Sequence, residues 1–188
     1  MSNSSENATP NSTPNATPNS TEASTNEQLP TRPGTWESHH AITGLMYRYT
    51  ERIDAGDFEG LGAIFADAAI TADGTDIEVR GAEAVASYYR SMNVVHADGT
   101  LRTRHMAVNV ITDIDEDAGT ATARSGFVVL QQTPALPLQP IVTGRYRDRF
   151  TRVDGVWQFT QRHMMVDHVG DVSEHLSFDL AAFIEGAS

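Results

Sequence analysis

The sequence contains no cysteine and no lysine, so all 13 of its cationic residues are arginine. The absence of cysteine excludes disulfide bonds, thiolate catalysis and cysteine-ligated metal sites. The absence of lysine excludes Schiff-base chemistry, a lysine general base and the lysine of a nucleotide-binding P-loop. Histidine and the carboxylates are therefore the ordinary bases that remain to the chain near neutral pH.

Positive charge and long apolar runs are scarce as well. The formal net charge is −12 at pH 7 and the pI is about 4.8. We expect no nucleic-acid partner, because phosphate binding needs clustered cations. No apolar run approaches the ~20 residues of a membrane span, and the N-terminus shows no basic-then-apolar secretory pattern. We therefore expect a cytoplasmic protein that does not bind membranes.

Residues 1–34 differ in composition from the rest of the chain. The stretch NATPNSTPNATPNSTEAST repeats Asn-(Ala/Ser)-Thr-Pro with few apolar residues. Such a segment cannot bury enough apolar surface to offset the entropy cost of ordering it. We expect a disordered tail over 1–34 and one folded domain over 35–188, a length that suits a single domain.

Hydrophobic periodicity predicts three helices followed by strands. Apolar residues at helical spacing indicate a first helix that ends at Ala55-Gly56, a second that begins at Asp57 and a third over 82–92. The candidate strands lie at 68–72, 101–113, 119–132, 141–153 and 156–167. Helices followed by a long antiparallel meander indicate the α+β class. We expect a curved, mostly antiparallel sheet that packs on the three N-terminal helices and encloses a cone-shaped pocket.

The dipeptide Asp154-Gly155 is a strong signal for a two-residue hairpin turn. Counting outward from this turn sets Tyr146 opposite His163. Strict alternation then places both on an apolar face, with Arg162 on the other face. A β-bulge after Phe159 would instead turn Arg162 inward. The pattern leaves both orientations of Arg162 open.

The stretch LRTRHMAVNV, residues 101–110, predicts a strand because it is rich in strand-forming residues. Since side chains alternate, His105 and Asn109 share a face with Leu101 and Ile111. A face that mixes apolar side chains with His and Asn is suited to line a pocket. The alternative is that His105 is a core histidine satisfied by hydrogen bonds.

These residues resemble the nuclear transport factor 2-like superfamily, and its SnoaL-like branch in particular. The resemblance covers about residues 38–170. Enzymes of this fold include scytalone dehydratase, bile acid 7α-dehydratase, hexachlorocyclohexane dehydrochlorinase, steroid isomerase and polyketide cyclases. The matching features are Tyr49 and Asp54, Asp57-Phe58, His105 with Asn109, and the block GRYRDRFTRVDGVWQFTQRH at 144–163.

The resemblance implies that His105 and Asp54 correspond to the His–Asp pair of these enzymes. Tyr49 falls where the bile acid dehydratase has a tyrosine, and Arg162 falls where that enzyme and the dehydrochlorinase have an active-site arginine. The second histidine, the serine and the asparagine of scytalone dehydratase have no equivalents here, so its substrate specificity does not transfer. On their chemistry alone, Tyr49 is also suited to the core, and Asp54 to a solvated surface.

We therefore predict a cofactor-free dehydratase that acts on a small hydrophobic, aromatic or polyketide-like substrate. In this hypothesis His105 removes a proton from carbon, Asp54 orients His105, and Tyr49 assists the leaving oxygen or a carbonyl. A polyketide cyclase or double-bond isomerase of secondary metabolism uses the same proton chemistry. A non-catalytic module, such as the subunit of ring-hydroxylating dioxygenases, is an alternative of a different class.

Other site residues and partners are predicted from the same pattern. The predicted substrate-binding residues are Tyr146, Asn109, Tyr88 and His163. No metal is expected, because the later histidines lack HExxH-type spacing. No nucleotide cofactor is expected either, because no glycine-rich phosphate loop is present. A homodimer or a higher homo-oligomer is expected, since a curved sheet of this type leaves one face with little helical cover.

Deletion of residues 1–30 should leave thermal stability unchanged within experimental error, because their composition contributes nothing to a core. Melting followed by circular dichroism on the full chain and the truncated chain checks this. A drop of several degrees in Tm would show that the tail packs on the domain.

Overall fold

Three helices and six strands make up the described part of the chain, residues 34–178 of the computed structural model. The helices are α1 (Trp36–Asp54), α2 (Phe58–Ile64) and α3 (Ala82–Met92). The strands are β1 (Ala69–Ala72), β2 (Glu78–Arg80), β3 (Thr103–Asp115), β4 (Thr120–Gln131), β5 (Gln139–Val153) and β6 (Val156–Val169). The predicted tail therefore lies, except for its last residue, outside the described residues.

The turn between α1 and α2 has the residues that its geometry requires. Gly56 follows the end of α1 with a φ of 69°, a left-handed conformation that favours glycine. Asp57 then caps α2, because its carboxylate accepts a hydrogen bond from the Gly60 amide at 2.8 Å. This tight turn ends α1 at Asp54, as the sequence predicts.

All six strands join one sheet in the order β2-β1-β6-β5-β4-β3. Strand β1 is parallel to β6, and the other neighbours are antiparallel. The prediction of an α+β fold, with a curved and mostly antiparallel sheet on three helices, is confirmed. Strand β2 was not predicted, because three residues are too few for a periodic pattern.

The core lies between the helices and one face of the sheet, the inner face. Its largest members from the helices are Ile42, Met46, Tyr49, Phe58 and Leu61, and those from the sheet are Phe127, Tyr146, Phe150, Trp157 and Phe159. The opposite, outer face of β4 and β5 carries several arginines. Within residues 34–178, no helix is long and apolar enough to cross a membrane.

A β-bulge in β6 changes the register that strict alternation predicts. Phe150 pairs with Phe159 as a two-residue turn requires, but the register then shifts between Arg149 and Phe150. Tyr146 consequently pairs with Met164, so its predicted pairing with His163 is wrong. The extra residue reverses the two faces beyond it. Arg162 therefore points into the core, and His163 lies on the outer face.

A second bulge interrupts β3. The register with β4 shifts between Val108 and Ile111, and Asn109 has a φ of 54°. His105 remains on the inner face, whereas Asn109 is exposed. The prediction that Asn109 shares the face of His105 is wrong, because alternation does not continue through a bulge.

Candidate active site

His105 and Asp54 form a close pair where the end of α1 meets β3. His105 Nδ1 lies 2.6 Å from Asp54 Oδ1, and both side chains are about nine-tenths buried or more. The same carboxylate accepts hydrogen bonds from the Thr103 hydroxyl at 2.7 Å and from the His105 backbone amide at 3.0 Å and 3.1 Å. Three donors therefore fix one carboxylate.

These donors also set the protonation of the pair. Burial alone would raise the pKa of the Asp54 carboxyl. The hydrogen bond and charge of His105 lower it, as do the hydrogen bonds from the Thr103 hydroxyl and the His105 amide. These effects outweigh burial, so the pKa lies below its ordinary value. Asp54 is therefore ionised near neutral pH. Because a carboxylate only accepts hydrogen bonds, His105 Nδ1 carries the proton and Nε2 of the neutral ring is the basic nitrogen.

A cluster of tyrosines fills the middle of the core. The Tyr49 and Tyr89 hydroxyls lie 3.1 Å apart, and the Tyr49 ring meets the Tyr146 ring edge to face at 6.1 Å between centroids. Burial raises the pKa of Tyr89 and Tyr146 well above the ordinary value, so both remain phenols. Tyr88 packs its ring against Tyr89 at the half-buried edge of this cluster.

Arg162 lies inside the tyrosine cluster, fully buried and paired with Asp148. Its Nε and Nη2 donate to the two Asp148 carboxylate oxygens at 2.9 Å and 2.7 Å. Its guanidinium carbon lies 4.0 Å from the Tyr146 ring centroid and 4.2 Å from that of Tyr49, an arrangement that favours a cation. The third nitrogen, Nη1, is buried and has no hydrogen-bond partner among residues 34–178.

An open cleft of about 820 Å³ reaches the His–Asp pair. Its walls include Asp54 and His105 from the pair, Gln131 from the end of β4, and the apolar Leu130 and Leu138. A small molecule in this cleft would therefore meet both apolar surface and the imidazole.

The structure brings some of the predicted site residues together and separates others. His105 and Asp54 meet, and Tyr49, Tyr146 and Arg162 form a second group. Tyr88 lies at the edge of that second group. Asn109 and His163 are both on the outer face of the sheet, where His163 Nδ1 lies 2.9 Å from the Thr71 hydroxyl oxygen. Their placement in the cone was wrong, because the two bulges reverse the faces on which they lie.

Several residues of the site were not predicted. Asp148 had a signal in the sequence, since it alternates with Tyr146 and Phe150 on the apolar face of a strand, where a carboxylate needs a partner. Gln131 and His175 had none, because their burial depends on how distant segments meet. The later histidines do not converge, and residues 34–178 contain no group of three or more potential metal ligands.

Asp148→Asn should lower the free energy of unfolding by about 3–5 kcal/mol, because it leaves the Arg162 charge buried without its counter-charge. Denaturant titration of the variant and the wild type measures the loss. Asp113→Asn is the matched control, since Asp113 is exposed on β3 and should change stability by less than about 0.5 kcal/mol. Equal stability of the Asp148→Asn variant and the wild type would contradict an ion pair.

The fold and the His–Asp pair can be compared with those of known proteins. No curated protein matches the chain. A variant of Rv3472, a Mycobacterium tuberculosis protein of unknown function, is 26% identical in sequence, with a TM-score of 0.60 over 81% of this chain and 86% of that one. A Nostoc punctiforme protein of unknown function with a cystatin-like fold is 21% identical, with a TM-score of 0.59 over 71% and 93%.

A candidate scytalone dehydratase of Novosphingobium aromaticivorans is 23% identical, with a TM-score of 0.57 over 72% of this chain and 87% of that one. These two likenesses show a shared fold, which the Nostoc structure identifies as cystatin-like. The SnoaL-like domain family matches residues 34–163, a range that holds both the His–Asp pair and Arg162. Because this match spans more than half of the chain, the protein belongs to the SnoaL-like domain family.

Proposed function

We propose that the protein is a cofactor-independent dehydratase that uses His105 as a general base on a small, largely apolar substrate. The observation that carries the proposal is the 2.6 Å contact between His105 Nδ1 and Asp54 Oδ1, made by a carboxylate that two further groups hold in place. Asp54 fixes the tautomer of His105 and stabilises the imidazolium that forms when Nε2 takes a proton.

The proposed reaction is the loss of water from a β-hydroxy carbonyl compound. His105 Nε2 removes the proton from the carbon beside the carbonyl, and the electrons of that C–H bond form the new C=C bond. The bond from the neighbouring carbon to its hydroxyl oxygen breaks, and the hydroxide leaves as water after it takes up a proton. His105 can return its proton to this oxygen, so no other reactant is needed.

The buried arginine supports the same chemistry. Negative charge develops on the substrate oxygen when the proton leaves carbon, and a fixed cation in a water-poor site stabilises such charge. In the described part of the chain, no acceptor takes the hydrogens of Arg162 Nη1, and Asp148 and the tyrosine rings hold the guanidinium in place. The Tyr49 ring packs against the guanidinium in the same buried cluster.

A cyclase or a double-bond isomerase would begin with the same proton abstraction. The products separate these reactions, because only a dehydration releases water. A non-catalytic binding module is favoured by a different observation, namely that aromatic rings and Arg162 fill the middle of the core. The cleft favours an enzyme, because both residues of the His–Asp pair line it.

His105→Ala should lower turnover by about 10²–10⁴-fold, the usual contribution of a general base. Asp54→Asn should have a comparable effect, and the double variant should be little worse than either, because the two residues act as a unit. A suitable first probe is the aldol adduct of benzaldehyde and acetone, whose dehydration gives the strongly absorbing enone benzylideneacetone. Absorbance measures the rate, and mass spectrometry confirms the loss of water.

His163→Ala is the matched control for this experiment, since it removes a histidine from the outer face of the same sheet. Its turnover should equal that of the wild type. Should a panel of β-hydroxy carbonyl compounds show no reaction that depends on His105, the binding-module alternative would replace the dehydratase.

We also propose that the protein forms a homodimer through the outer face of the sheet. This face has no helix packed on it among residues 34–178, and its strands expose the apolar side chains of Met106 and Ile111, each to 39%. Symmetric pairing of two copies would cover this apolar surface. Light scattering at micromolar concentration should give twice the chain mass, and a monomer mass would contradict the proposal.

A further inference from the structure

Two more buried polar atoms, both close to the His–Asp pair, have no hydrogen-bond partner in the described part of the chain. Among the described residues, neither Gln131 Oε1 nor His175 Nδ1 has a hydrogen bond, although their side chains are almost wholly buried. An unpaired polar atom in the interior is costly. Two such atoms in one neighbourhood therefore indicate a place that a polar group fills.

Gln131 is fixed so that its carbonyl oxygen is the free atom. Its Nε2 donates to the backbone oxygens of Leu101 at 3.0 Å and of Glu174 at 2.9 Å. Since both partners are acceptors, the amide nitrogen must face them, and Oε1 faces away as an acceptor. Gln131 lies directly opposite Thr103, whose hydroxyl holds the Asp54 carboxylate.

His175 comes to the same place from the segment that follows β6. Its backbone oxygen accepts from the Val94 amide at 2.8 Å, and the preceding residue, Glu174, is the one that Gln131 binds. The His175 ring lies 5.9 Å from the His105 ring, centroid to centroid. The two unpaired atoms thus belong to neighbouring groups beside the proposed base.

The His175 ring is neutral at any ordinary pH. Burial lowers its pKa to about 3, assisted by the charges of His105 and His96 and opposed by that of Asp54. In the tautomer that carries its proton on Nδ1, a neutral imidazole donates one hydrogen bond there. In this tautomer Gln131 Oε1 offers an acceptor and His175 Nδ1 a donor.

We infer that Gln131 and His175 form a subsite for a hydroxyl group of the substrate. A hydroxyl is the simplest group that satisfies both atoms, because it donates to Gln131 Oε1 and accepts from His175 Nδ1. A carbonyl oxygen satisfies only the donor, and an apolar group satisfies neither. Gln131 and His105 both line the cleft, so the subsite lies at its wall.

The subsite narrows the class of substrate. The inference rests on the proposed function in one respect, namely that the hydroxyl belongs to a substrate of His105. The ligand is a small, largely apolar molecule that carries a hydroxyl within reach of the base, as a β-hydroxy carbonyl compound does. His175 lies beyond the residues that match the SnoaL-like family, 34–163. This part of the site is therefore supplied by the chain's own C-terminal segment.

The test compares two ligands that differ by one hydroxyl, the benzaldehyde–acetone adduct and its deoxy analogue benzylacetone. Calorimetry measures both affinities in His105→Ala, which prevents turnover of the adduct. The adduct should bind about five- to tenfold more tightly, the usual worth of a buried hydrogen bond. His175→Phe on this background should reduce the ratio to about one, because it keeps a ring but removes the polar atom. His175→Asn, which keeps a polar atom near Nδ1, should retain part of the preference.

His96→Phe is the matched control. His96 Nε2 also lies within hydrogen-bond distance of the Glu174 oxygen, at 3.1 Å, so this variant disturbs the same segment but leaves the subsite intact, and the ratio should persist. If His105→Ala with an unchanged His175 bound the two ligands equally tightly, Gln131 Oε1 and His175 Nδ1 would bind only water. That result would overturn the inference. So would a preference that survives His175→Phe.

A spectroscopic measurement covers the case in which His175→Phe does not fold. Imidazole nitrogen resonances of the wild type should shift at His175 on addition of the adduct and not on addition of benzylacetone. Shifts that are equal for both ligands would contradict the subsite. The ratio and the shifts report binding alone, so they can succeed even if His105 proves not to be a base.

Discussion

The carboxylate of Asp54 is the contact on which the site and the fold both depend. Asp54 is the last residue of α1, and its carboxylate accepts hydrogen bonds from three groups on β3. The backbone oxygen of Asp54 accepts one more hydrogen bond, from the Leu101 amide. The helix is thereby tied to the strand at the point where the imidazole enters the core. The interactions that hold the helix in place are the same ones that keep the carboxylate ionised, so assembly of the fold also forms the His–Asp pair.

The charged groups of the interior form two separate pairs, one between Asp54 and His105 and one between Asp148 and Arg162. At the end of α1, the Asp54 carboxylate is hydrogen-bonded to the His105 imidazole, and both residues line the cleft. Deeper in the core, Arg162 and Asp148 form a pair of fixed charge enclosed by phenol rings. Aromatic faces compensate the guanidinium for lost hydration, and Asp148 balances its charge, so a cation can be kept far from water.

The sequence was sufficient to predict the fold and the contact of His105 with Asp54, and insufficient for the bulges in β3 and β6 that change the faces of Asn109 and His163. Periodicity, the caps at Gly56 and Asp57, and the Asp-Gly turn are local signals, and each predicted its element. His105 and Asp54 could be paired because the resemblance supplied their contact. The faces of Asn109 and His163 could not be predicted, since an inserted residue reverses a face without any local signature. The contact of His175 with His105 depends on the path of a segment without periodic pattern.

The parallel pairing of β1 with β6 has a consequence for how the chain folds. Ile70 pairs with Arg162, so β1, which can pair early with β2, gains its second neighbour only with the last strand. The antiparallel meander from β3 to β6 can form by local hairpins, whereas the β1–β2 hairpin joins the rest of the sheet only through a contact distant in sequence, which is slow to form. During synthesis on the ribosome, β1 therefore remains without β6 until nearly the whole domain has emerged, and apolar surface that is left uncovered in this interval favours aggregation.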